Sequence, residues 1–280
     1  MMRLHPLDRL EAVLRHPDQL RAWTVDQSDI EDLPTAGEFM SLRWIWWQRH
    51  RTDLLNEIPG LGSLPIIRRF QELARDFEVL MPSTQGRSLS KPRTLGHSGV
   101  YELPPPGSAQ WEPGGSFVSF QETFRAALRG EGVDQHYSDA LTGAVAEMAS
   151  NAVEHADSPV PPIASFEVAN RAWSFGVTDV GRGALASIQE NPLYADLEGE
   201  VEALELILQE GVSRTGKPGR GKGFTEVFKA LVDRRAILRF RSGGATSLWE
   251  GESPTAQTIH FQGLPFRRQG FHVRVGGPIP

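Results

Sequence analysis

Apolar positions along the chain fall into two regimes separated by a stretch rich in proline, glycine and serine. Leu7, Leu10, Val13, Leu14 and Leu20 recur at helical spacing over residues 7–23, with Pro17 breaking or kinking the run. Residues 31–37 read as a loop. A second helix is expected from Phe39 through Met40, Leu42, Trp44, Ile45, Trp46 and Trp47 to about Leu55, stopped by Pro59-Gly60. A third, led by Pro65, covers residues 64–80, with Ile66, Ile67, Phe70, Leu73 and Phe77 on its apolar side. Three tryptophans within four residues cannot share one helix face. They are expected to fill a core layer between these helices and the rest of the chain. An exposed partner site is the alternative, and base stacking is supported only by nearby Arg43, Arg49, His50 and Arg51.

Residues 81–116 change texture, with Pro104, Pro105 and Pro106 in a row and one short strand candidate at 100–103. This stretch reads as a linker or junction between a mainly helical region, 1–80, and a second region, 117–280. In the second region helices are expected over 118–129 and 135–156. A β-hairpin follows over 164–169 and 172–178, with Asn170 and Arg171 in its turn. Further helices are expected over about 197–209 and 223–232, and strands over 236–241, 245–250, 257–262 and 271–275. Helices followed by antiparallel strands imply an α+β layered sandwich.

Composition narrows the classes. A formal net charge of −6 over 280 residues excludes a globally basic, nucleic-acid-gripping surface. The absence of cysteine removes disulfides, thiolate metal sites and cysteine nucleophiles, and fits a reducing compartment. The first residues alternate charged and apolar positions, unlike a signal peptide, and no run approaches the roughly 18–20 apolar residues of a membrane span. A cytoplasmic protein is the expectation.

Three segments carry candidate chemistry. Glu147, Asn151 and His155 lie at i, i+4 and i+8 and share one side of a helix whose neighbouring stripe is apolar. A carboxylate and a carboxamide one turn apart can hold a hydrated hard cation and position a water, although an ordinary solvent-facing helix side has the same look. Asp179-x-Gly181-x-Gly183 ends a half-buried strand. Such an aspartate can accept a hydrogen bond from an exocyclic amine, and glycines let backbone approach a ligand, yet plain turns use the same residues. The third segment is glycine-rich, from Gly211 through Ser213, Gly219, Arg220, Gly221, Lys222 and Gly223 to a helix opening at Thr225. Backbone amides there, with Arg214, Lys217, Arg220 and Lys222, could cradle phosphates, or form a flexible basic surface loop.

Taken in order, the three segments resemble the ATP-binding domains of the GHKL superfamily, which includes gyrase, MutL and the histidine kinases. The asparagine helix matches the N box, Asp179-x-Gly181-x-Gly183 the first glycine box, and Gly219-x-Gly221-x-Gly223 the second. In texture the sequence is most similar to the bacterial anti-sigma-factor-like ATPase branch. The resemblance spans about residues 117–275. It implies a Bergerat-type two-layer α/β sandwich, a mostly antiparallel mixed sheet with helices on one face, and an ATP lid over residues 184–218. By the same resemblance Asn151 would ligate Mg²⁺, Glu147 would orient or deprotonate a water or hydroxyl, and Asp179 would recognise the adenine amine. Gly181 and Gly183 would shape the pocket floor and lid hinge, and Ser213, Gly219, Arg220, Gly221, Lys222 and Gly223 would wrap the phosphates. His155 has no assigned role.

Two departures stand out. Lys222 occupies a position the family keeps apolar. Gly270-Phe271 stands where the family places a Gly-Thr pair beside the adenine aspartate, which leaves Thr178 or Thr258 as candidate substitutes. Neither His16 nor His50 has the surroundings of a phosphoacceptor, so a sensor kinase is not expected. Two readings remain: an enzyme that hydrolyses ATP or phosphorylates a protein serine or threonine, and a nucleotide-gated interaction module with little turnover. Both expect a protein partner and allow a homodimer. Neither expects a membrane or nucleic acid.

Overall fold

The computed structural model describes residues 5–16, 20, 23, 25, 29–75, 77, 92–208, 231, 235–250 and 259–279. A six-stranded sheet lies at its centre. The strands are β1 (Arg93–Thr94), β2 (Ser98–Glu102), β3 (Ile163–Ala169), β4 (Ala172–Thr178), β5 (Ile237–Glu250) and β6 (Ile259–Pro278). They run in the order β1-β2-β3-β4-β6-β5, and every pairing is antiparallel. The chain is therefore α+β, as its pattern predicts. The β3–β4 hairpin closes through Asn170 and Arg171 at φ 54° and 58°, the left-handed pair that matches strand twist in a two-residue turn.

The pattern predicts four short strands after residue 236, and two long ones are found. The break anticipated near Gly243 is a bulge. The β5–β6 register shifts on both sides of Gly243, whose φ is 50°, so the hairpin bends without ending. Residues 98–102, inside the expected linker, form β2, which is buried at every position and paired with β3.

Two helices cover the front of the sheet, α5 (Ser116–Gly130) and α6 (Gln135–His155). Asp134 caps α6 by accepting from the Tyr137 amide at 2.8 Å. Phe117, Phe120 and Phe124 of α5 pack on Tyr101, Phe166 and Phe175 of the sheet. Each buried phenylalanine side chain contributes about 2–3 kcal/mol.

The back of the sheet carries the N-terminal helices: α1 (Pro6–Leu14), α2 (Leu33–His50), the short α3 (Leu54–Glu57) and α4 (Pro65–Leu73). The expected loop at 31–37 is mostly the first turn of α2. Pro34 sits in that turn, where its missing N–H costs nothing, and Asp32 caps it by accepting from the Thr35 amide at 2.9 Å. The helix stops earlier than expected, at His50, because Arg51 turns left-handed at φ 59°. Trp44 and Trp46 are buried in the core of this layer, with Leu7, Phe39 and Ile67 and with Val100 and Ile163 of the sheet. Trp47 carries the Arg51 guanidinium 4.9 Å above its ring.

The back face itself is charged. Strand alternation sends Leu238, Phe240, Val273 and Val275 forward into the core, and Arg239, Arg241, His272 and Arg274 backward. Arg239 binds Glu38 of α2 at 2.7 Å and Asp8 of α1 at 2.9 Å. Arg241 reaches Asp8 and Glu11, Arg268 reaches Glu38, and Arg274 binds Asp32 at 2.7 Å. Burial pushes the Asp8 and Glu38 carboxyls up, but the surrounding guanidinium groups outweigh it and hold both below the usual range. Arg241 is lowered to about 10, by burial first and then by Arg268.

Candidate functional site

Helix α6 brings the three polar residues of its sequence pattern to one flank. Ala144, Val145, Met148, Ala149 and Ala152 face the sheet and are buried. Glu147, Asn151 and His155 are half-buried beside that stripe, while Gly143 and Glu154 are exposed. The flank is thus neither core nor open surface.

The C-terminus of α6 meets the loop that follows β4. The Arg182 amide donates to the Ala156 carbonyl at 2.9 Å, and Arg182 Nε donates to the His155 carbonyl at 3.0 Å. Both contacts satisfy carbonyls that the helix end leaves open, and the cation complements the helix dipole. Arg182 is held in turn by Glu190. This junction requires a glycine at 181: a Cβ there would lie 1.9 Å from the Ala156 carbonyl oxygen. Gly183, at φ 81°, opens the six-residue helix α7 (Gly183–Ile188).

Asp179 stands between these parts. It is 3% exposed, and its Oδ1 accepts the Gly181 amide at 2.8 Å and the Phe271 amide at 3.2 Å. Its own amide donates to the Phe271 carbonyl at 3.1 Å, and the Gly270 amide donates to the Gly181 carbonyl at 2.8 Å. Oδ2 accepts no hydrogen bond among the described residues. Burial raises the Asp179 carboxyl to about 7, against the two amide hydrogen bonds that lower it. A buried carboxylate with one satisfied oxygen and one spare acceptor is suited to taking a hydrogen bond from a ligand amine.

One sequence alternative is overturned here. Thr178 does not substitute for the family threonine beside the aspartate, because strand alternation turns it to the back face, where its hydroxyl meets Ser41 and His272. The Phe271 backbone amide supports Asp179 instead, through a main-chain contact that side-chain patterns do not disclose. Thr258 lies outside the described residues. So does the whole second glycine loop: Ser213, Arg214, Lys217, Gly219, Arg220, Gly221, Lys222 and Gly223, with the helix expected over 223–232 apart from Leu231. Of the expected lid, residues 184–208 form most of α7 and all of α8 (Glu200–Ile207). Leu185, Ile188 and Ala203 share a small core there.

Among the described residues no group of three or more His, Asp or Glu side chains could hold a metal ion unaided. A magnesium ion at Asn151 would therefore take most of its shell from waters and phosphate oxygens, which is usual for that ion. A cavity of about 310 Å³ lies on the Val153 flank of α6, walled by Pro104, Pro105, Pro106, Pro159 and Pro161. It includes none of the candidate residues. No helix among the described residues is long and apolar enough to cross a membrane. No model of a known protein family matches the chain, and comparison with curated proteins finds no match either.

Proposed function

We propose that this chain is a magnesium-dependent ATP-binding protein of the GHKL type, acting as a regulatory ATPase or as a serine/threonine kinase on a partner protein. The observation that carries the reading is Asp179. It is a buried carboxylate at the end of a central strand, with Oδ1 fixed by two main-chain amides and Oδ2 unshared among the described residues, beside a helix whose half-buried flank holds Glu147 and Asn151. In this reading Asp179 accepts the adenine amino group. Asn151 offers its carboxamide oxygen to magnesium, whose charge would neutralise the phosphates. Glu147 orients the attacking water or hydroxyl and takes its proton. Gly181 and Gly183 let the loop after β4 pass close against the end of α6 and against Ser242, which fixes the place of Asp179.

Titration with ATP, ADP and a non-hydrolysable analogue, with and without Mg²⁺, tests the reading. Binding should be lost in Asp179→Ala and Asn151→Ala, and retention in both variants would sink the site assignment. Phosphate release by wild type and Glu147→Gln then separates an enzyme from a nucleotide-gated interaction module. The second reading is favoured by the N-terminal layer, whose helix α2 touches the strand that carries Asp179 from behind. Equal background rates with intact ATP binding would select it.

A further inference from the structure

The strand ends that hold Asp179 are fastened on their far side. Thr178 and His272 are direct register partners on β4 and β6. They precede Asp179 and follow Phe271, the two residues whose main chains are hydrogen-bonded to each other at the site. Both side chains point to the back, both residues are buried, and the Thr178 hydroxyl is hydrogen-bonded to His272 Nδ1. Thr178 also donates to Ser41 Oγ of α2 at 3.3 Å, and Ser41 donates to the Gly37 carbonyl at 3.2 Å. Since Ser41 spends its only hydroxyl proton on Gly37, a proton on His272 Nδ1 supplies the links from His272 to Thr178, Thr178 to Ser41 and Ser41 to Gly37, and leaves the long 3.4 Å contact of Nε2 with the Gln269 carbonyl without a hydrogen. Burial, then the neighbouring Arg268, lowers His272 to about 3, so the chain is uncharged over the working range of pH.

Helix α2 reaches this point because β4 carries a glycine there. A Cβ on Gly176 would lie 2.9 Å from Pro34 Cβ and 2.9 Å from the Val273 carbonyl oxygen. Any larger residue would lift the helix away and pull Ser41 off Thr178.

We infer that Thr178 and His272 are positioning residues for Asp179, and that α2 fixes them through Ser41, so that the N-terminal layer sets how well the pocket recognises adenine. The inference rests on the ATP reading of the site. The spacing between β4 and β6 at this level decides whether Oδ1 receives both amides, and so where Oδ2 points. A carboxylate that loses this grip rotates, and its hydrogen bond to a ligand amine weakens while contacts elsewhere on the nucleotide persist.

The test compares ATP with purine riboside triphosphate, which lacks the 6-amino group, in equilibrium binding to the full chain. Wild type should prefer ATP, and Asp179→Ala should abolish the preference. Thr178→Val is nearly isosteric and removes the hydroxyl. It should weaken ATP by about three- to tenfold, the scale of one hydrogen bond, and leave the analogue's affinity unchanged. Thr178→Ser should restore the preference. Ser41→Ala, which sits outside the pocket, should produce the same selective loss and carries the test if the valine variant does not fold. Equal weakening of both nucleotides, or no weakening of either, would overturn the positioning role while Asp179→Ala still upheld the ATP reading. A preference that survives Asp179→Ala would overturn the ATP reading and this inference with it.

Discussion

Asp179→Asn separates what this carboxylate does for a ligand from what it costs the fold. The folded-state carboxyl titrates at about 7 against an ordinary value of 3.8, with burial as the first cause. A pKa raised on folding favours the fold below the unfolded value, and that contribution is lost as pH rises through the folded one. At one pKa unit per 1.36 kcal/mol, the raised pKa costs the fold roughly 4 kcal/mol at about pH 8, where Asp179 is ionised in both states, and roughly 2 kcal/mol at about pH 5, where it is ionised unfolded but protonated in the fold. Asparagine carries no charge to desolvate, and its carbonyl oxygen can still accept the Gly181 and Phe271 amides. The variant should therefore gain stability over wild type as pH rises, by roughly 2–3 kcal/mol between about pH 5 and about pH 8. Chemical denaturation at the two pH values measures this directly, and a carboxyl ¹³C titration of wild type should show a midpoint near 7. The same variant should bind ATP poorly, because its NH₂ group would point where Oδ2 now offers an acceptor. A stability difference that does not change with pH would refute the reasoning, since it would mean that Asp179 is not ionised at a cost.

Three further outcomes follow from the geometry. Gly181→Ala places a methyl 1.9 Å from the Ala156 carbonyl oxygen, which should cost about 2–4 kcal/mol and loosen the last turn of α6; thermal denaturation and amide exchange at Arg182 report it, and unchanged stability would count against the close approach. Glu38→Ala leaves Arg239 and Arg268 with Asp8 as the one carboxylate they still share, at about 3–5 kcal/mol by chemical denaturation, and a loss below about 1 kcal/mol would show the lattice to be solvated in solution. Asp8, Asp32 and Glu38 all have lowered carboxyl pKa values, held down against burial by arginines, so their contribution is present above the ordinary carboxylate range and lost as pH falls through the depressed values. Amide exchange in α1 and α2 should therefore accelerate in acid before exchange in α5 and α6, and a single concerted transition would exclude that order.

Much of the front layer is legible in the sequence. The apolar spacing of α5 and α6, the Asn170-Arg171 turn and the aspartate at the end of β4 all follow from local rules, because their neighbours are local or lie on the next strand. The back layer is not legible in the same way. Arg239-Phe240-Arg241 and His272-Val273-Arg274 alternate as any half-solvated strand would. Whether the charged positions meet water or carboxylates depends on Asp8 and Glu38, which lie more than 200 residues away in the chain. One local clue exists: Glu38 is the only charged residue between Leu33 and Leu42, and an isolated acid within an apolar helix calls for a buried cation. A loop at 31–37 is the wrong expectation because it gives Pro34 and Gly37 the weight of helix breakers. Proline is at home in a first turn, and Gly37 is where α2 lies closely against its neighbours: a Cβ there would sit 3.3 Å from the Phe70 ring and 3.6 Å from Ser165 Oγ. The sequence pattern divides β5 and β6 because a bulge at Gly243 and a left-handed Gly270 resemble turns, and only pairing with each other carries the strands through.

The charged back face also explains why the N-terminal layer has one seat on the sheet. Leu7, Leu10, Phe39, Met40, Ile45 and Phe70 supply the apolar burial that holds this layer down, and burial of that kind tolerates sliding. Buried ion pairs add little net stability once desolvation is counted, but they are costly to unpair. Arg239 joins α1 to α2 through Asp8 and Glu38, and Arg268 reaches the same two carboxylates. Advancing α2 by one residue would turn Glu38 by about 100° away from both guanidinium groups. The apolar contacts therefore set how firmly the layer is held, and the ion lattice sets where. Ser41 lies one turn beyond Glu38 on the same helix, so the register that pairs Glu38 with its arginines is also the one that brings Ser41 to Thr178, directly behind the carboxylate of Asp179.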